Sequence, residues 1–393
     1  MSAEPFGQAL KRWRGSLSIR DAAALAKIGK SYVSRLERGD AHPSPDVAAS
    51  LDQALGAGGE LIAAAEVNPR ANTLDRADTL QRGLHEVLAA GPMTTATVEE
   101  WEFTALRHGR ATRFRPEAQL LVDLLDDFQD LRTLLAQRHA PNSRNRLHVV
   151  AAQMSGLLAL TLLKLGDDRS RAWWRTGRAA AAAAEDPPTL SWIYAHEAYQ
   201  QYYSGDVHGA IDLAVRAQQL ARGLPSVGPA LAAPLEARAH GLLGATEEAK
   251  AALKTARSVL SRLPEDQQIG SAFGYSASQL HFHSGNALTH LGEVEQAREE
   301  LAQAVELYPA DDLTDRALIS LDEAMCLAVT GEPAAAAVEA RRALVALPSQ
   351  HRSALILSRA REIAARVPEA QATAEIRSLH EVLALPERNK SEG

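Results

Sequence analysis

The chain has 393 residues, of which 46% are apolar and 23% charged, with a formal net charge of −7 and a single cysteine. That length exceeds one ordinary core and predicts two or more folding units or a repeat array, while the balance of apolar and charged residues argues against a disordered or membrane-embedded class. The opening MSAEPFGQALKRW puts no apolar run behind its charges, about 18 consecutive apolar residues occur nowhere, and Cys326 can close no internal disulfide; a cytoplasmic protein with a structural cysteine is expected.

Charge is unevenly placed. Residues 1–66 hold eight basic and eight acidic side chains, yet the window 11–38 carries Lys11, Arg12, Arg14, Arg20, Lys27, Lys30, Arg35 and Arg38 against only Asp21 and Glu37. A basic face near the N-terminus, followed by 327 residues that carry the whole −7, suits a DNA-binding head on a body that limits non-specific binding.

The first helix is expected over Phe6–Leu17, where Phe6, Leu10 and Trp13 recur at helical spacing. Ser18-Ile19-Arg20-Asp21 has the form of a capping box and starts a second helix. A break at Lys27-Ile28-Gly29 leads into Lys30-Ser31-Tyr32-Val33-Ser34-Arg35-Leu36-Glu37-Arg38, whose Val33 and Leu36 face inward and which Gly39 ends. Pro43-Ser44-Pro45-Asp46 then supplies a cap and a proline at the first helical position, and the next helix stops at Gly56-Ala57-Gly58-Gly59.

SYVSRLERG before a proline-started helix, with an LGAGGEL exit, resembles the lambda-repressor-like, Xre-type helix-turn-helix domain of bacterial regulators over about residues 5–65. The resemblance implies that the third helix enters the major groove. Lys30, Ser31, Ser34 and Arg35 would read base edges, with Arg35 or Lys30 donating to guanine N7 and O6. Ser18, Arg20 and Arg38 would hold phosphates, and Tyr32 could do either job. Three positions depart from the family pattern: Lys27 stands where a turn glycine is usual, Gly29 where a hydroxyl cap is usual, and Ile19 where a polar residue is common. A left-handed lysine costs roughly 1–2 kcal/mol, and a glycine cap a few tenths (~0.3 kcal/mol), so neither excludes the fold.

Residues 67–146 are expected to be a linker and bridging helices: a polar stretch at Asn68–Thr73, helices at Asp78–Ala90 and at Val98–Arg107 with a cap at Thr97, and a third at Pro116–Arg138. The basic cluster Arg107, His108, Arg110, Arg113 and Arg115 could touch DNA or a ligand anion, but a run that is solvated or paired with acids is the more common case and is expected here. VEEWE and LLVDLLDDFQDL behind such a head resemble actinobacterial regulators with repeat-containing C-terminal regions.

From residue 147 onward the chain repeats. Gly166, Gly205, Gly244, Gly292 and Gly331 are spaced by 39, 39, 48 and 39 residues. Ala210, Ala249, Ala297 and Ala336 follow the last four by five residues, and Ala217, Ala256, Ala304 and Ala343 follow them by twelve; Ala159, Ala198, Ala237, Gly285 and Ala324 stand seven before each glycine. Small residues at fixed positions let two helices approach closely and the glycine turns the chain between them, so each unit reads as a helical hairpin. The pattern resembles a divergent tetratricopeptide repeat, although its period exceeds that family's, which is about 34. Leu355–Leu385 is read as further helix capping the stack. The expected fold is all-α: a helix-turn-helix domain (1–66), then a right-handed α-solenoid of tetratricopeptide-like hairpins (147–388).

In such stacks the first helix of each unit lines the concave face. Counting back from each glycine puts Trp192, Tyr199, Tyr202, Arg238, Gln279, Phe282, Asn286, His290 and Asp322 on that row as candidate ligand-binding residues. The mix of aromatic and amide side chains is similar to repeat-containing quorum-sensing regulators that hold signalling peptides, with one asparagine here where those have several. No phosphate loop, dinucleotide fingerprint or metal spacing is present, and His281 and His283 point apart on a helix, so neither an enzyme nor a cofactor is expected. The sequence therefore suggests a homodimeric regulator of double-stranded DNA reading an inverted-repeat operator, with no membrane association and with control by a peptide or small-molecule effector. The rival reading is a repeat scaffold whose head only localises it.

Overall fold

A computed structural model describes residues 4–38, 41, 43–66, 80, 94–366 and 373–384. The chain divides into two compact units, Met1–Gly91 and Pro92–Gly393, and helix is the only regular structure among the described residues.

The first unit contains α1 (Phe6–Arg14), α2 (Ile19–Leu25), α3 (Lys30–Arg38), α4 (Pro45–Leu55) and α5 (Glu60–Glu66). Phe6, Leu10, Val33, Leu36, Leu51 and Leu61 form its core. The inward spacing of Phe6 and Leu10 on α1 and of Val33 and Leu36 on α3 is what brings these two helices together. Gly7 makes the approach close: a β-carbon there would lie 2.6 Å from the Leu36 carbonyl oxygen. Ser18 caps α2 by accepting from Asp21 N–H (3.1 Å), Ser44 caps α4 from Val47 N–H, and Gly56 ends α4 in the left-handed region (φ 68°). Lys27 adopts φ 57°, so the lysine does carry the left-handed turn, which the Ile28 N–H to Ala23 carbonyl bond (2.9 Å) holds closed. The α4–α5 corner rests on a buried acid that the sequence reading passed over: Asp52 accepts from Gly59 N–H (2.8 Å) and Leu61 N–H (2.9 Å). Gly39, the Asn68–Thr73 linker and the Asp78–Ala90 helix lie outside the described residues.

The second unit opens with α6 (Thr95–Ala111) and α7 (Glu117–Leu135). The cap of α6 is Thr94, which accepts from Thr97 N–H (3.2 Å), so this helix begins three residues earlier than expected and Thr97 lies in its first turn. Five hairpins follow: α8 (Pro141–Lys164) with α9 (Ser170–Ala183), α10 (Pro187–Tyr203) with α11 (Val207–Leu220), α12 (Val227–Leu242) with α13 (Thr246–Leu260), α14 (Ala277–Leu291) with α15 (Val294–Leu307), and α16 (Leu313–Val329) with α17 (Pro333–Ala346). Helices α18 (Ala354–Ala365) and α19 (Ala374–Ala384) close the stack. Each helix packs on its hairpin partner and on the next hairpin, which is the packing of a helical solenoid.

The five turn glycines all have positive φ, from 69° to 84°. The alanines five and seven positions from them are fully buried. At Gly285 a β-carbon would meet Leu301 Cγ at 2.6 Å. Gly285→Ala should therefore destabilise the second unit by about 1–3 kcal/mol through overpacking, despite its higher helix propensity; a urea midpoint equal to that of the parent chain would contradict this account of the repeat.

The 48-residue interval is nine longer than the other three (48 − 39). The surplus lies between α13 and α14, where a short turn at Glu265–Gln267 and the segment after it fold back onto other helices. Ala272 N–H donates to the Gly109 carbonyl (2.9 Å), and its own carbonyl accepts from Trp192 Nε1 (2.7 Å). The helices expected to bridge head and array are, where described, part of the array's own core: Val98, Trp101, Leu120, Leu124 and Leu131 pack in one cluster with Leu147, Met154 and Leu157. At the other end α18 returns to α8, where a β-carbon on Gly166 would lie 2.9 Å from Ala354 Cβ. The stack thus curls until its closing helix α18 meets its first hairpin. Helix α8 is long and apolar enough to cross a membrane, but 72% of its most apolar window is buried in this unit, where it serves as a core helix.

Candidate functional site

On α3 the helical repeat of 100° per residue places positions 30, 31, 34, 35 and 38 within one arc, with Val33 and Leu36 opposite and Glu37 on its flank. The structure agrees. Val33, Leu36 and Glu37 are buried, Lys30, Ser31, Arg35 and Arg38 are exposed, and Ser34 is half-exposed. Arg38 Nη1 donates to Ser34 Oγ (3.0 Å) one turn back, which stiffens the far end of this face. Tyr32 lies at its edge with its ring partly buried against the head's core, so packing accounts for most of it.

Two basic side chains of the 11–38 window serve the fold instead. Arg14 forms a fork on buried Glu37, tying α1 to α3, and Arg12 bridges Glu4 and Glu60 at 2.8 Å each. Arg20 is exposed on α2. Ser18, a predicted phosphate contact, has its hydroxyl occupied: it accepts from the Asp21 N–H and donates to the Asp21 carboxylate (2.6 Å).

Two adjoining pockets of the second unit open to solvent. The first, of about 140 Å³, is walled by Leu160, Leu163, Leu231, Leu318, Phe282 and Tyr199, with His196, His283, Arg113 and Asp312 among its polar groups. The second, of about 270 Å³, is lined by Tyr202, Arg238, Asn286, Asp322 and Arg359, and shares Tyr203, Phe282, Leu318 and Leu355 with the first. Curling of the stack draws its concave face together around both.

Of the nine predicted ligand residues, Tyr199, Gln279 and Phe282 line the first pocket, and Tyr202, Arg238, Phe282, Asn286 and Asp322 the second. Gln279 also accepts from Ser276 N–H (3.1 Å) as the return half of the α14 capping box. Trp192 lines neither: its ring lies against Phe273 (4.9 Å between centroids) under the 261–276 segment, and a β-carbon on Gly156 would strike it at 2.4 Å. It is a core residue. His290 likewise lines neither, and accepts from Arg359 Nη1 at 3.3 Å.

The polar members form one network. Arg238 Nε donates to Asn286 Oδ1 (2.8 Å), and Asn286 Nδ2 donates to both Asp322 oxygens (3.0 and 2.9 Å). Asp322 in turn is forked by Arg359, which also holds Glu362 at 2.6 Å. Across the first pocket Arg113 binds Asp312 and Asp315, the latter at 2.9 Å, and so ties the end of α6 to the start of α16. The basic cluster of residues 107–115 thus does pair with acids, with Arg107 and His108 on Asp127 and Arg115 on Asp123.

His196, Tyr203, Arg113 and Arg359 were missing from the predicted row. His196 and Tyr203 follow Trp192 by four and eleven residues, the same helical face, so the row's own periodicity could have found them. Arg113 and Arg359 reach the cavity only because the stack curls, and no local signal marks them. His281 and His283 do point apart: one faces Glu300 (2.7 Å), the other the Tyr275 hydroxyl (3.0 Å). Cys326 is buried against the Thr289 hydroxyl (3.2 Å) and has a packing role.

Burial pushes the His196 pKa down to about 4, against a small upward pull from the Ala272 carbonyl, and pushes His283 and His290 down as well. A histidine whose folded-state pKa is depressed costs nothing while both states are neutral. Stability falls as pH drops through about 6.5, where the unfolded chain begins to protonate, until the folded pKa is reached. His196→Gln should therefore reduce the stability difference between pH 7 and pH 5 by about 2 kcal/mol. Urea unfolding at both pH values reads it, and an unchanged difference would mean that His196 titrates normally in the fold.

Residues 5–65 match a family described as helix-turn-helix domain. Neither curated proteins nor solved structures give a significant match to the chain. With a basic face exposed on α3 and its family match over α1–α5, the first unit is a helix-turn-helix DNA-binding domain, and the chain that carries it is a DNA-binding regulator of transcription.

Proposed function

We propose that this protein is a cytoplasmic, Xre-type, sequence-specific transcriptional regulator and not an enzyme, in which α3 reads the major groove and the tetratricopeptide-like second unit holds an effector that controls DNA binding. The observation that carries the reading is the α3 face: Lys30, Ser31, Ser34 and Arg35 sit on one exposed arc of a helix whose opposite side is anchored in the domain core. Base-edge readers need that arrangement, because donors must be held by a rigid element yet project from it. The protein acts as a homodimer on an inverted repeat, with half-sites about one helical turn apart.

Control needs a coupling of only about 1–3 kcal/mol between the effector cavity and the DNA-competent arrangement. A stack closed on itself by α8 and α18 suits this, since occupation of its interior favours one curvature over another. Selection of bound duplexes from random DNA by the full chain, at two salt concentrations, tests the proposal. A symmetric motif supports a dimeric reader. Salt-sensitive binding without a motif would leave the scaffold reading, in which the head only localises the protein.

A further inference from the structure

Three arginines line the cavities of the second unit, and two of them are matched by acids. Arg113 holds Asp312 and Asp315, and Arg359 holds Asp322 and Glu362. Arg238 is different. It is 2% exposed, and no carboxylate among the described residues lies within ion-pair distance of it. Its Nε donates to the neutral Asn286 amide oxygen, its Nη2 reaches the Tyr203 hydroxyl at 3.4 Å, and its Nη1 is buried with no hydrogen-bond partner among the described residues. Asp322, the nearest acid in the network, is kept from it by the intervening Asn286.

Four aromatic rings surround this guanidinium: Tyr202 at 4.6 Å, Tyr203 at 5.7 Å, Tyr199 at 5.9 Å and Phe282 at 6.0 Å. Their faces offset part of the cost of burying the cation but accept no N–H in the plane of the fork. A buried donor left unmade is costly, and a buried cation without an anion more so, so the arrangement is suited to an acceptor brought from outside. Tyr203 and Phe282 also belong to the wall of the first pocket, whose surface is mostly apolar, from leucines and tyrosines, with Lys164 and the Arg113-bound Asp312 and Asp315 at its polar side. A group bonded to Nη1 therefore has a largely apolar chamber beside it, and the return of α18 to α8 closes one side of that chamber, which suits a compact molecule better than an extended one.

We propose that the second unit binds a compact apolar carboxylic acid, its carboxylate seated on Arg238 and its body in the chamber walled by Tyr203, Phe282, Leu318 and Leu355. This inference rests on the effector reading above and names the effector's chemistry. The same carboxylate could come from a small acid or from a peptide C-terminus, and the geometry favours the former.

The test is saturation-transfer NMR on the full chain without DNA. The probes are hexanoate, octanoate, decanoate and 4-phenylbutyrate, their primary amides, and apolar tripeptides with free or amidated C-termini. The expected result is binding of acids at least tenfold tighter than of the matched amides by the parent chain, a comparison that needs no variant. Arg238→Met should erase that preference and Arg238→Lys retain it. Equal binding of acids and amides, binding of neither, binding confined to the tripeptides, or a preference that survives in Arg238→Met would each overturn the assignment. Operator selection without acid binding would leave the regulator standing and remove the acid; acid binding without an operator would do the reverse.

Discussion

Replacing Lys30 and Arg35 together by alanine is expected to lower affinity for the selected operator by roughly thirty-fold to ten-thousand-fold, because each well-formed contact to a base edge contributes about 1–3 kcal/mol of discrimination. The loss should be specific. Both side chains are exposed on α3, so the fold should keep its stability within about 1 kcal/mol, and binding to random DNA in low salt should weaken only by the two lost charges. Arg38→Ala provides the contrast: as a backbone-holding residue it should weaken all sequences alike and reduce the salt slope by about 1. Fluorescence anisotropy on the operator and on a scrambled duplex, at two salt concentrations, separates these outcomes. If the double variant loses equal affinity for both duplexes, α3 is not the reading helix.

Asp322→Ala should have the largest effect on the second unit, about 3–5 kcal/mol, because it leaves the buried Arg359 without the acid that forks it and strips both acceptors from the Asn286 amide. Most of this is the penalty of a buried guanidinium left with only the half-exposed Glu362, and not the value of the pair itself. Asp322→Leu combined with Arg359→Met should consequently recover much of the loss, since an apolar pair of similar volume removes both desolvation costs. Urea unfolding of parent, single and double variants forms the cycle. A double variant no more stable than Asp322→Ala would show that the network is needed for packing beyond its charge balance. Because Asn286 links Asp322 to Arg238, Asp322→Ala should also loosen Arg238 and so weaken the carboxylate probes, whereas Arg113→Met should act chiefly on stability.

The comparison of sequence with structure turns on which forces are local. Along α3 the burial pattern follows from the order of Val33, Leu36 and Glu37, and the same order fixes which side chains are left outside. The left-handed turn at Lys27 was legible only through the resemblance, which puts a turn glycine at that position, and the structure shows φ 57° there. The repeat was legible from Gly166, Gly205, Gly244, Gly292 and Gly331, since a left-handed turn and a close helix approach each restrict residue type at one position. Asp52, which accepts two backbone N–H groups from the next helix, went unread because an acid in a helix has no spacing that marks its partner.

The sequence by itself determined an all-helical chain, a head with an exposed basic face and a body of stacked hairpins, because helix periodicity, caps and turn glycines act over a few residues. Tertiary structure alone decided that the stack curls until α18 meets α8, that the insertion after α13 folds inward over Trp192, and that Arg113 and Arg359 meet acids across the interior. It also decided that Arg238 does not meet one. These outcomes depend on small rotations accumulated over successive hairpins, and on a competition for acids among charges far apart in the chain. No local pattern of residues encodes either.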